Sequence, residues 1–130
     1  MPIHLVWDND DKTILRQVYD GQWTVDDFNE AVVRNVEIQA TVSHPVDVIT
    51  DLRHSTTQTR IMIAAVARHM ERHVPPNQRL VIMVGADAFL KIIARISRTL
   101  APRTAKNAHM VDTIEEAYAI IRQTAEERVS

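Results

Sequence analysis

The chain has 130 residues, room for one domain and too few for two, and its 45% apolar and 25% charged content is ordinary for a globular protein. It contains no Cys, which excludes disulfides, thiolate metal sites and a cysteine nucleophile. Its aromatic content of 5% argues against base-stacking platforms and aromatic sugar clefts, and its net charge of −2 against nucleic acid as a partner.

That charge is unevenly spread. Residues 1–51 carry three basic against ten acidic residues, a net of −7, whereas residues 52–111 carry ten basic against Glu71 and Asp87, a net of +8. Residues 112–130 return to −3. The segments either neutralise one another in space or leave a basic surface for an anionic partner. Met1-Pro2-Ile3-His4 leads to acidic Asp8 without a basic region or a long apolar run. Leu80–Val84, the longest apolar stretch, is far too short to span a bilayer. The expectation is a cytoplasmic protein with no transmembrane segment.

In chain order, residues 3–7 and 13–19 are rich in β-branched and aromatic types, and polar Asp8–Lys12 lies between them. This predicts a β-hairpin. Thr24 and Asp27 have the spacing of a capping box, with Asp in place of Glu, and Phe28, Val32, Val36 and Ala40 follow on one helical face. His44-Pro45 ends that helix, and Val46–Leu52 reads as a third strand. Polar Arg53–Gln58 leads into a second helix over about 58–73, stopped by Pro75-Pro76. Leu80–Val84, apolar at every position, predicts a central strand covered on both faces. A third helix starts near Asp87 with Phe89, Ile92, Ile93 and Ile96 inward. Ala108–Val111 is a short last strand, and a C-terminal helix follows Asp112-Thr113 with two acids in its first turn. The order β-β-α-β-α-β-α-β-α predicts an α/β fold: a mixed, mostly parallel five-stranded sheet with helices packed on it.

This layout resembles the STAS fold of the anti-sigma-factor antagonists of sporulation and stress signalling, including the STAS-SEC14-like relatives grouped with lipid-carrier domains. The resemblance covers nearly the whole chain. It rests on the opening hairpin, Gly21-x-Trp23-Thr24 before the first helix, Val46–Leu52 as a strand ending in Asp-Leu, and the closing Val111–Ala117 strand-to-helix turn. The antagonists carry a phosphorylatable Ser in an Asp-Ser-x-Gly context after that strand. Here the region reads Asp51-Leu52-Arg53-His54-Ser55-Thr56-Thr57-Gln58, without the motif or its glycine, so the resemblance carries the fold across and not the phosphosite.

Ser55, Thr56 and Thr57 lie where a strand's carboxyl end is predicted to meet a helix N-terminus, a place suited to anions. Phosphorylation there would be favoured by the helix and by Arg53 or Arg60; the plainer reading is a helix cap. His69 and His73 share a helix face, but Glu71 is misplaced for His-Glu-x-x-His and no third ligand is near in sequence. Asp51, His54 and Ser55 have the residue types of a hydrolase triad without a nucleophile elbow, and two glycines cannot build a phosphate-cradling loop. Lys91, Arg95 and Arg98 recur at one helical turn, with Arg103 and Lys106 beyond, and no acid occurs from residue 88 to 111. That face is either solvated or docks an acidic partner, a phosphate ligand or a membrane surface. Trp7 and Trp23 are expected to anchor the core or the hairpin.

The expectation is a non-enzymatic regulatory or protein-interaction module needing no cofactor or metal. Its protein partner would dock on Arg53, His54, Ser55, Thr56, Thr57 and Arg60, beside the basic face. The alternative is a small-ligand or lipid carrier, with a cavity lined by Met70, Phe89, Ile92 and Ile93 and the basic residues at its mouth. An enzyme would require His109, His54 or Asp51 to converge in a cleft. Edge strands make a homodimer an expectation as well.

Overall fold

A computed structural model describes residues 2–57, 60, 75–85, 95 and 107–129. Their elements are β1 (Ile3–Trp7), β2 (Ile14–Gly21), α1 (Val25–Gln39), β3 (Val46–Ser55), β4 (Gln78–Val84), β5 (Ala108–Val111) and α2 (Ile114–Val129). The five strands form one sheet in the order β1-β2-β3-β4-β5. β1 and β2 are antiparallel, and every later pair is parallel. The predicted mixed, mostly parallel α/β sheet is therefore present. The predicted helices over about 58–73 and 87–98 lie outside the described residues, except that Arg60 and Arg95 are helical and exposed.

The hairpin turn is organised by Asn9, whose Oδ1 accepts from the backbone N–H of Thr13 (3.0 Å) and Ile14 (3.2 Å). Lys12, rather than an Asn or Asp, takes the left-handed position at φ 57°. On α1 the predicted capping box is complete: Thr24 Oγ1 accepts from Asp27 N–H and Asp27 Oδ2 from Thr24 N–H. Such a cap is worth about 1 kcal/mol.

Side chains alternate between the two faces of the sheet. Ile3, Leu5, Leu15, Tyr19, Val46 and Leu52 form a core with Trp23, Phe28, Ala31 and Val32 under α1. Ile49, Leu80, Ile82, Val84 and Val111 form a second core with Ala117 and Ile121 of α2. Both tryptophans join the first core, Trp23 buried and Trp7 at its margin. Along β4 the alternation is visible, with Leu80, Ile82 and Val84 buried and Val81 and Met83 half-buried. That strand is thus covered less evenly than its unbroken apolar run predicts.

The buried stripe of α1 departs from the predicted one at its C-terminal end. Asn35 and Gln39 are buried there, while Val36 is half-buried and Ala40 exposed. The reason is a polar floor. Gln39 Nε2 donates to Asn35 Oδ1 (2.8 Å) and Gln78 Oε1 (3.0 Å), and Asn77 Nδ2 donates to the Gln39 carbonyl (3.0 Å). Asp47, 1% exposed, accepts from Arg79 Nε (2.7 Å), from Arg79 Nη2 and from the Leu80 N–H (3.2 Å). Among the described residues no helix is long and apolar enough to cross a membrane.

Candidate functional site

The predicted site begins with a correction to its secondary structure. Arg53, His54 and Ser55 are not loop residues: β3 continues through Ser55. The continuation exists because β2 also runs further than its apolar pattern, to Gly21. Across a register shift between Val18 and Asp20, Asp20 pairs with His54 and Gly21 with Ser55. Thr56 N–H then donates to the Gly21 carbonyl at 2.9 Å. Local polarity predicts a loop here, and the partner strand overrides it.

Trp23 ties this strand end down. Its indole Nε1–H donates to Ser55 Oγ at 2.9 Å, and its backbone N–H donates to Thr57 Oγ1 at 2.7 Å. The Thr57 hydroxyl donates back to the Trp23 carbonyl at 3.1 Å. Edge-on contact with Tyr19 and stacking on Phe28 fix the indole itself. Two of the three hydroxyls of the cluster are thus occupied within the fold, whereas Thr56 is exposed, as are His54 and Arg60. The Thr56 hydroxyl makes no hydrogen bond among the described residues.

Thr57→Val should cost about 1–2 kcal/mol, because it strips the partner from the Trp23 backbone N–H. A lowered urea midpoint, with faster hydrogen exchange at the Trp23 and Thr56 amides, is the expected result.

Arg53 points to the opposite face from His54 and closes on a buried carboxylate. Asp51, 2% exposed, accepts from Arg53 Nε (2.9 Å), Arg53 Nη2 (2.8 Å) and the Arg53 backbone N–H (3.1 Å). Arg16 Nη2, from β2, adds a fourth bond at 3.0 Å. Arg16 Nη1 also lies 3.6 Å from Asp8 Oδ1, and Asp8 accepts the phenol proton of Tyr118 on α2. The result is a continuous polar chain, Tyr118–Asp8–Arg16–Asp51–Arg53. It stitches the hairpin, the central strand and the C-terminal helix together. The Arg53 hydrogen bond holds the Asp51 carboxyl well below the usual carboxylate range, against the opposing effect of burial. The same hydrogen bond raises the Arg53 pKa. Burial, then the bond to Asp8, raises that of Tyr118.

Gly85 makes room for this arrangement. It follows β4 at φ +78°, and a Cβ there would sit 2.7 Å from Arg53 Cγ and 3.1 Å from Arg53 Cα.

Asp51 is clamped by two guanidinium groups, Ser55 Oγ accepts from the Trp23 indole, and no hydrogen bond joins Asp51, His54 and Ser55 among the described residues. Of the predicted basic face only Arg95 is described; Lys91, Arg98, Arg103 and Lys106 lie outside the described residues. So do Met70, Phe89, Ile92 and Ile93 of the alternative carrier cavity, and His69 and His73. Asp8, Arg16 and Tyr118 were absent from the sequence-derived site. The available signal was charge at inward strand positions: Asp47, Asp51 and Arg16 all interrupt apolar runs. No protein-family model matches the chain and no curated protein matches it.

Proposed function

We propose that the chain is a non-enzymatic, cytoplasmic protein-interaction module of STAS-like fold. It docks a protein partner on the carboxyl end of β3 through His54, Thr56 and Arg60. The observation that carries this reading is the division of labour in one short segment. Ser55 and Thr57 are pinned by Trp23 while the residues between and before them face solvent. A polar strand end held in one conformation loses little conformational freedom when a partner binds, which favours recognition. Thr56 is also the hydroxyl of the cluster open to phosphorylation. A hairpin followed by parallel strands in sequential order supports the STAS-like assignment. Arg53, Ser55 and Thr57 also make bonds within the fold, so the proposed contact is centred on His54, Thr56 and Arg60.

Affinity co-purification from the source organism tests this. The tagged chain and a Val33→Asp control, altered on an exposed α1 position, should retain the same protein. A Thr56→Asp/Arg60→Glu variant should retain at least about tenfold less, a loss of about 1.4 kcal/mol of binding, with its melting temperature unchanged. Equal retention by all three would refute the assignment of this surface.

A further inference from the structure

The outer edge of β1 lies across the hairpin from the β3 end. β1 is the first strand in the sheet order and, among the described residues, pairs with β2 alone. In an antiparallel ladder the backbone groups of alternate residues point to the partner strand, and those between point away. Asp8 N–H donates to the Ile14 carbonyl and Asp20 N–H to the Pro2 carbonyl. Even-numbered residues of β1 therefore face β2. The N–H and C=O groups of Ile3, Leu5 and Trp7 face outward, with no hydrogen-bond partner among the described residues.

Natural edge strands are protected by Lys, Pro, bulges or inward charges. β1 reads Ile-His-Leu-Val-Trp, pairs with β2 without a register shift, and leaves Val6 50% exposed. We infer that this edge pairs with the β1 edge of a second copy of the chain, antiparallel about a two-fold axis through Leu5.

Self-complementarity selects this occupant and this register. About Leu5, Ile3 faces Trp7 of the other copy and Leu5 faces its counterpart. The outward groups of all three residues are thereby used, giving about six hydrogen bonds. Their side chains stay on the face covered by α1 and extend the first core across the axis. On the other face His4 meets Val6 of the other copy and lies diagonal to its Asp8, a donor beside an acceptor. A one-residue slip would turn each strand's core face outward. Parallel pairing of the same two edges would turn one copy over, setting its α1-covered face beside the other copy's opposite face.

Sedimentation of the full chain over a range of concentrations, read together with amide hydrogen exchange, tests the inference. The expected result is a concentration-dependent dimer. In it the Ile3, Leu5 and Trp7 amides exchange at least about tenfold more slowly than at low concentration, while the His4 and Val6 amides are protected throughout. Val6→Lys, at an exposed position, should weaken the dimer at least about tenfold without lowering the melting temperature. A monomer at all concentrations would overturn the inference. So would a dimer whose Ile3, Leu5 and Trp7 amides exchange freely, because it would assemble through another surface.

Discussion

Asp51→Asn is expected to lower stability by about 2–3 kcal/mol, and the deficit should shrink in acid. Removing one partner from a buried ion pair usually costs about 3–5 kcal/mol, since the other charge is left desolvated. Here Arg53 and Arg16 keep 35% and 23% side-chain exposure, so water can take over part of their solvation and the cost is lower. For a domain of this size the melting temperature should fall by about 10 °C.

The pH dependence follows from the direction of the Asp51 shift. Its folded pKa lies below its unfolded value of about 3.9, so its contribution is fully present above about pH 5 and is lost as pH falls toward the folded value. By pH 3 the wild-type chain should have lost about 1 kcal/mol from this group alone, while the Asn variant has no such loss. Urea midpoints at pH 7 and pH 3 for both proteins measure the difference; a gap that stays constant would mean that Asp51 is not the titrating group.

Gly85→Ala should cost about 2–4 kcal/mol, from two sources. An L-residue at φ +78° is strained by about 1–2 kcal/mol, and the new methyl would press on Arg53. Arg53 Cγ, at 2.7 Å from the built position, can swing away, but Arg53 Cα at 3.1 Å and Arg53 N at 3.3 Å belong to β3 itself and cannot yield cheaply. The swing would pull the guanidinium off Asp51. The two substitutions should therefore be non-additive, with Gly85→Ala costing at least about 1 kcal/mol less in the Asp51→Asn background. Strict additivity would show that Gly85 and Asp51 do not act through Arg53.

These two effects lie in the part of the site hardest to find in the sequence. The hairpin, the capping box at Thr24 and Asp27, and the last strand at Ala108–Val111 were legible because each depends on residues close in the chain. The end of β3 was not, because its strand character comes from pairing with Asp20 and Gly21, more than thirty residues away. The Arg16–Asp51 and Tyr118–Asp8 contacts span 35 and 110 residues, beyond any local period. An acid and a base at inward strand positions signal that partners must exist, because buried charges are rarely left unpaired. They do not say which partner. The same limit applies to Ser55 and Thr57, whose residue types fit a helix cap and a modification site equally well. Only the position of Trp23 separates them from Thr56.

The most direct test of the β3 end as a docking surface is site-specific photo-crosslinking in the source organism, with the crosslinker placed at Thr56 and, as a control, at Val33. A discrete adduct from position 56 that is absent from position 33, and that disappears with Arg60→Glu, is the predicted result. No adduct at position 56, or the same adducts from both positions, would contradict the account.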